Sequence, residues 1–244
     1  MDNQYIMDRV KIVDLALYFE RSDTLSIADL QLGYEEMMNS QGILVPRFNF
    51  SSIKKRLEKI LKETTPKKIV LNGDLKQEFG RVSRQEWSEV LQLFELLKQH
   101  TKEIIVVKGN HDVFLGPITK WEHLDLVDQH YLEKEQVLFV HGHVLPETEQ
   151  YNNTPTLVIG HEHPAVKIRD GAKTETFKCF LKGRYANKTL IIQPSFTDTH
   201  IGTNVLDGRF LSPFLEEGLE EFETWIVEDK PYYFGSVEKL REME

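Results

Sequence analysis

The stretch KKIVLNGDLKQEFGRVSRQEWSEVLQLFELLKQHTKEIIVVKG, residues 67–109, contains two apolar runs separated by one amphipathic segment. The runs at 67–73 and 103–109 are rich in β-branched residues and nearly continuous, which is typical of strands covered on both faces. The segment 83–100 opens with a serine and a glutamate at capping-box spacing, and its apolar residues recur at helical spacing. The order strand, helix, strand predicts an α/β fold.

More strands are predicted on both sides of this unit. Before it, the segment SSIKKRLEKILKE (51–63) places its apolar residues on one stripe and most of its lysines elsewhere, which predicts a surface helix. A chain with helices early and strands late favours an α/β sandwich with mixed sheets. The other predicted strands are TLSIA (24–28), VLFVHG (137–142), TLVIGH (156–161), AVKIRDG (165–171), TFKCFLKG (176–183), KTLIIQPSF (188–196) and two within ETWIVEDKPYYFGSVEKL (223–240), around Asp229 and Lys230.

Length and composition favour one globular domain over residues 1–244, since single cores grow to roughly 250–300 residues. The sequence has neither a leader-like N-terminus nor a long apolar run, which predicts a cytoplasmic protein without a membrane span. The only cysteine, Cys179, lies in a strand-like pattern and is interpreted as a buried structural thiol.

The formal net charge of −9 is unevenly distributed along the chain. Residues 215–244 hold ten acidic and three basic side chains, a local charge of −7, and the remainder is nearly neutral. The acidity of the whole chain therefore does not exclude a nucleic-acid substrate.

Polar residues with metal-binding side chains follow five of the predicted strands. Imidazole, carboxylate and amide oxygen together form a donor set accepted by Mn²⁺, Fe²⁺, Zn²⁺ and Ni²⁺. Ligands two residues apart, as at 29 and 31 or 161 and 163, are expected to point the same way if they continue a strand. An aspartate in a Gly-Asp turn, here Asp74, could bridge two cations. The clusters are Asp29 with Gln31, Asp74, Asn110 with His111 and Asp112, His141 with His143, and His161 with His163.

These motifs, in this order and closing with GHEHP, resemble those of the calcineurin-like metallophosphoesterases over residues 29–164. ADLQLGYEE at 28–36 and GDLKQEFG at 73–80 are most similar to the small archaeal Icc-related phosphoesterases and to the ligase-associated DNA-damage nucleases of bacteria. The resemblance implies a four-layer αββα sandwich, in which two mixed sheets are flanked by helices.

The resemblance also implies the residue roles. Metal one would be held by Asp29, Gln31, Asp74 and His163, and metal two by Asp74, Asn110, His141 and His161. His111 would protonate the leaving oxygen, Asp112 would orient the His111 ring, and Asn110 and His111 would contact the substrate. The pattern itself places His143 on the same strand face as His141, which predicts that His143 either contacts the phosphate of the substrate or supports the metal ligands. Gln31 departs from the family pattern, which usually has histidine there. Metal one is therefore expected either to bind loosely, to be Mn²⁺ or Mg²⁺ rather than Zn²⁺, or to be held by Gln31 through a water molecule.

The implied activity is hydrolysis of phosphodiesters by metal-bound hydroxide, with two divalent ions, Mn²⁺ preferred over Mg²⁺, Ni²⁺, Fe²⁺ or Zn²⁺. Single-stranded DNA or RNA is a candidate substrate, and the basic helix 51–63 either follows its backbone or is merely solvated. The alternatives are a phosphomonoesterase, a cyclic-nucleotide phosphodiesterase, or a non-catalytic scaffold that binds partner proteins. Tyr232, Tyr233 and Phe234 are interpreted as strand packing or as a homodimer contact, and the role of His200 is left open.

Overall fold

The computed structural model describes residues 4–80, 82–171 and 173–242, and its first sheet has seven strands. The first four strands pair antiparallel in chain order, and the fourth to the seventh pair parallel. The carboxyl ends of three successive strands (β4 to β6) therefore meet at one edge of the sheet. The strands are Tyr5–Met7 (β1), Val10–Val13 (β2), Ala16–Phe19 (β3), Thr24–Ala28 (β4), Lys68–Asn72 (β5), Glu103–Val107 (β6) and Asp125–Val127 (β7).

The second sheet has nine strands, and it is also mixed. Strands β9, β10 and β13 run parallel, whereas β8, β11 and β12 pair antiparallel with their sequence neighbours. Its strands are Gln129–Leu132 (β8), Val137–Val140 (β9), Thr156–Ile159 (β10), Pro164–Asp170 (β11), Lys173–Tyr185 (β12), Lys188–Ile192 (β13), Thr203–Asn204 (β14), Glu223–Val227 (β15) and Pro231–Ser236 (β16).

Alternation along the second sheet divides its side chains between two apolar clusters. Val137 and Phe139 of β9 face the first sheet, where Phe139 contacts Phe19 edge to face with ring centroids 5.4 Å apart. Leu138 and Val140 face the opposite way, onto a layer formed by residues 205–222 and the last helix. One sheet thus contributes to both cores, as its side-chain period of two requires.

The helices complete the layers. The outer face of the first sheet is covered by α2 and α3, and α2 buries Ile53, Leu57, Ile60 and Leu61, each contributing roughly 1.5–3 kcal/mol of apolar burial. The predicted αββα arrangement is confirmed, although short helices and turns cover the second sheet. The helices are Tyr34–Ser40 (α1), Asn49–Thr64 (α2), Arg84–Lys98 (α3), Gly116–Trp121 (α4), Glu149–Asn153 (α5) and Val237–Glu242 (α6).

Several local predictions are confirmed, and others differ from the structure. Ser83 and Glu86 form the predicted capping box of α3, and Cys179 is fully buried, which raises the pKa of its thiol. The N-terminal strands β1 to β3 and the short strands β7, β8 and β14 were not predicted from the sequence. The last predicted strand ends at residue 236, and the chain continues as α6. The strands at 137–142 and 156–161 end two residues before the predicted boundary.

No helix in the described ranges is long and apolar enough to cross a membrane. The single-domain organisation, the cytoplasmic location and the homodimer stay predictions.

Candidate metal centre

The predicted site residues converge where the carboxyl ends of β4, β5 and β6 meet those of β9 and β10. Below this point, buried polar side chains connect the two sheets. Asn72 Nδ2 donates to the Val158 carbonyl at 3.3 Å, and Ser26 Oγ donates to Gln193 Oε1 at 2.7 Å. These hydrogen bonds fix the relative position of the two sheets directly beneath the site.

Strand alternation does not explain the ligand pairs, so that part of the sequence interpretation is wrong. β4 ends at Ala28 and β10 at Ile159, whereas Asp29, Gln31, His161 and His163 all have left-handed φ values of 47° to 64°. This conformation is uncommon for residues other than glycine and is concentrated at functional sites. Left-handed residues at alternate positions, rather than a continued strand, place side chains two apart at one site.

Asp74 lies at the centre of the cluster and is almost fully buried. Its Oδ1 accepts a hydrogen bond from the His111 amide at 3.0 Å, and its Oδ2 lies 3.4 Å from His141 Nε2 and 3.7 Å from His111 Nε2. Burial raises the pKa of Asp74, but the hydrogen bond and charge of His141, together with His111, outweigh it and lower the pKa to about 2. The carboxylate is therefore ionised at neutral pH.

Asp74, His141 and His161 offer ligand atoms that all lie within 4.8 Å of one another. His141 Nε2 also lies 2.9 Å from Asn110 Oδ1, which brings the fourth residue of the predicted second set to the same place. Burial and the charge of His141 lower the pKa of His161 to about 4, so this imidazole is neutral at pH 7. A neutral imidazole is the form that binds a metal ion.

The predicted first set lies beside this group, with atoms that lack partners. His163 Nε2 lies 3.4 Å from Asp29 Oδ2. The backbone N–H of Gln31 donates a hydrogen bond to the backbone carbonyl of Asp74 at 3.0 Å. Asp29 Oδ1, Gln31 Oε1 and His163 Nε2 are buried and have no hydrogen-bond partner among the described residues. Buried polar atoms are normally paired, so three such atoms at one place fit a bound cation.

Asp112 does not orient His111, which corrects the sequence interpretation. The buried Asp112 carboxylate accepts backbone hydrogen bonds from Leu75, Lys76 and Gly109, so it ties the loop after β5 to the loop after β6. The ring of His111 is instead held by a backbone carbonyl, since its Nδ1 lies 2.5 Å from the Gln77 oxygen.

His143 lies close to the site, but not for the reason given by strand alternation. β9 ends at Val140, and Gly142 has a φ of 110°, so the turn rather than the strand directs the His143 ring. That ring lies 5.1 Å from the His141 ring and 6.0 Å from the His161 ring, measured between centroids. Its role as a substrate contact stays a prediction.

Comparison with known proteins agrees with this geometry. The profile of the calcineurin-like phosphoesterases matches residues 24–182, which is more than half of the chain and includes every residue of the cluster. The chain belongs to the calcineurin-like phosphoesterase family. Members of this family are phosphoric ester hydrolases that use divalent metal ions, so the cluster is the candidate metal centre.

One solved structure shares this fold, and a second is a weaker match. The nuclease MPE of Pseudomonas putida matches with a TM-score of 0.61 at 18% identity, covering 91% of this chain and 94% of that chain. YfcE, a phosphoesterase from E. coli, matches with a TM-score of 0.42 at 14% identity, covering 84% and 88%. No curated protein matches this calcineurin-like phosphoesterase at a significant level.

Three residues that support the site were not found from the sequence. Gln77 acts through its backbone carbonyl, and because every residue has one, the sequence does not indicate which residue fills this role. Glu162 is fully buried and accepts hydrogen bonds from the Leu211 and Ser212 amides, so it anchors a distant segment to the loop with His161 and His163. Its position between two predicted ligands was the available signal.

The third such residue, Lys178, holds the backbone segment that contacts Asp29. Its Nζ donates to the Ser195 and Thr197 carbonyls at 2.7 and 2.5 Å, and the Phe196 amide between them donates to the Asp29 carbonyl at 3.2 Å. Burial lowers the pKa of Lys178 to about 7.

Gly73 offers a test of how tightly the metal centre is packed. Its φ is +85°, and a Cβ there would lie 1.9 Å from His141 Nδ1. Gly42 has almost the same φ, +84°, with no atom within 4 Å of a Cβ. Both Gly→Ala variants should lose roughly 1–2 kcal/mol of stability from the left-handed backbone. Only Gly73→Ala should also displace His141 and lose most of the metal-dependent phosphoesterase activity, measured alongside thermal denaturation. Equal activities in the two variants would contradict this account of the site.

Proposed function

We propose that this calcineurin-like phosphoesterase hydrolyses phosphodiesters with two divalent metal ions, Mn²⁺ being preferred. The observation that carries the proposal is the buried cluster centred on Asp74, with a compact ligand group on one side and three unpaired donor atoms on the other. In the proposed ligand sets Asp74 would serve both ions. The donor mixture is compatible with Mn²⁺, and the preference for Mn²⁺ over Zn²⁺ is proposed because Gln31 offers an amide oxygen where the family usually has imidazole.

The proposed ligands form two sets that share Asp74. Asp29, Gln31, Asp74 and His163 would hold one ion, and Asp74, Asn110, His141 and His161 the other. When bound, such a pair supplies positive charge to the phosphate oxygens and lowers the pKa of a water molecule. The Gln31 oxygen is a weaker donor than imidazole, so the first ion should be the more weakly bound.

His111 is the proposed general acid. The Gln77 carbonyl accepts a hydrogen bond from Nδ1–H, and Nε2 faces Asp74 at 3.7 Å, which directs the second ring nitrogen into the site. A protonated Nε2 can donate to the leaving ester oxygen, and the fixed Nδ1 prevents the ring from turning away. The His111 amide, bound to Asp74 Oδ1, keeps the acid in register with the proposed ligands.

The experiment compares hydrolysis of bis-p-nitrophenyl phosphate, p-nitrophenyl phosphate and single-stranded DNA by chelator-treated protein, before and after addition of Mn²⁺, Mg²⁺, Ni²⁺ or Zn²⁺. Single-stranded DNA is included because the P. putida neighbour is a nuclease. Treated protein should be inactive on all three substrates, and Mn²⁺ should restore diesterase activity best.

Full activity in excess chelator, with residual metal excluded by elemental analysis, would refute metal dependence. Faster turnover of the monoester would favour the phosphomonoesterase. Metal binding without turnover of any phosphate ester would favour the protein-binding scaffold.

A further inference from the structure

One side of His111 is covered by an aromatic ring that remains largely open to solvent. The ring centroids of Phe79 and His111 are 3.5 Å apart, with planes inclined by 35°, so Phe79 packs against the face of the imidazole. Phe79 is nevertheless 56% exposed. Its second face is therefore available to a ligand that reaches His111.

The Phe79 ring is carried by a loop whose backbone is fixed at the two residues just before it. The Gln77 amide donates to the Leu32 carbonyl at 2.9 Å, and the Glu78 amide donates to Glu86 Oε1 at 2.6 Å. Glu86 in turn belongs to the capping box of α3, so the loop is tied to the helix. A solvent-exposed ring on a restrained backbone is organised for contact before any ligand binds.

Phe79 is accompanied by other exposed large apolar residues that lie next to site residues in the chain. Val113 and Phe114 follow His111 and Asp112, and Val144 and Leu145 follow His143. Single exposed apolar residues are ordinary, but several beside one polar site fit contact with apolar parts of a ligand.

A cavity lies on the side of the site that belongs to the second sheet. It has a volume of about 350 Å³, and its lining includes His141 and His143, the apolar Val144 and Pro146, and the acidic Asp128 and Glu147. A phosphate at the metal centre would thus have Phe79 beside the acid and this cavity beside His143. Two flanking surfaces suit a phosphate with two ester groups, whereas a monoester would leave one of them unused.

From these contacts we infer that Phe79 stacks against the nucleobase on the leaving-group side of the scissile phosphate, in single-stranded nucleic acid. The inference rests on the proposed function. His111 must reach the leaving oxygen, so the group attached to that oxygen lies next to His111 and therefore next to Phe79. The open face of a benzene ring selects a planar partner, and bases stack on aromatic side chains without strong sequence preference.

The test uses dinucleoside monophosphates, which contain a single phosphodiester, and two isomers in which the sugar on one side lacks its base. The products show which sugar leaves. Loss of the base on the leaving side should lower kcat/KM by roughly 5-fold to 150-fold, the range expected for one stacked base. Loss of the other base should have a smaller effect.

Phe79→Leu should remove most of this preference, and Phe79→Trp should keep it. Because the preference is a ratio measured within one variant, any damage to His111 affects both substrates and cancels. Phe234→Leu makes the same change at an exposed residue of β16 and should behave like the unaltered protein.

Binding is measured separately with a methylphosphonate dinucleotide that carries 2-aminopurine on the leaving side and cannot be hydrolysed. Its fluorescence should be quenched by the unaltered protein and much less by Phe79→Leu. Equal base preference and equal quenching in these two proteins would overturn the inference, as would preferential turnover of a phosphotyrosine peptide. If no phosphodiester is hydrolysed with any metal ion, the proposed function fails, while the fluorescence still decides whether Phe79 stacks a base.

Discussion

Asp74→Asn is expected to abolish measurable hydrolysis, with a loss of roughly 10³-fold or more, because metal ions supply several kcal/mol to such reactions and each ~1.4 kcal/mol is tenfold in rate. The asparagine side chain keeps an oxygen in the place of Asp74 Oδ1, and this oxygen can still accept the hydrogen bond from the backbone N–H of His111. The local backbone should therefore keep its conformation. What is lost is the charge that both proposed ligand sets share. Metal content by elemental analysis and turnover of bis-p-nitrophenyl phosphate measure the two effects.

Two further variants test whether the effect of Asp74→Asn comes from the loss of a ligand shared by both ions. Gln31→Ala removes a proposed ligand of one ion only, so it should lose one metal equivalent and retain the other. Asp125→Asn makes the same chemical change as Asp74→Asn at an exposed residue of β7 and should leave metal content and turnover unaltered. If Asp29→Ala or His141→Ala reduced metal content more than Asp74→Asn, the central position of Asp74 in the mechanism would be wrong.

His111→Ala is expected to lower turnover of single-stranded DNA by roughly 10²–10⁴-fold, the usual contribution of a general acid. The metal content should stay the same, since the proposed ligands of both ions remain. On p-nitrophenyl esters the penalty should be smaller, because p-nitrophenolate is a good leaving group and needs little protonation. The measurement is kcat on both substrates with metal content determined in parallel.

The comparison between substrates separates two roles for His111. Equal penalties on DNA and on p-nitrophenyl esters would indicate that the ring binds phosphate and does not act as the acid. His100→Ala, at an exposed residue beyond the end of α3, is the matched control and should leave both rates unchanged.

Much of the fold was predictable because its signals are local. A nearly continuous β-branched run such as 68–72 and a capping box such as that of Ser83 and Glu86 depend on residues within one element. The strands β1 to β3 lack such a boundary signal, since they are short hairpins whose pairing is decided by packing against β4. The same limit applies to Val237–Glu242, where apolar residues fit both a strand and a short helix.

The sequence by itself determined the chemical types at the site and their order, because aspartate, asparagine and histidine after strands identify a metal centre whatever holds them. Tertiary structure alone decided the partners. Gln77, 34 residues before His111, holds the ring through a carbonyl that every residue possesses, and Asp112 faces backbone amides instead. Glu35, an acidic residue four positions after Gln31, accepts hydrogen bonds from the backbone amides of Phe48 and Asn49 at the start of α2. The physical reason is that a sequence records which side chains are present, whereas backbone donors and acceptors acquire partners only when distant segments pack together.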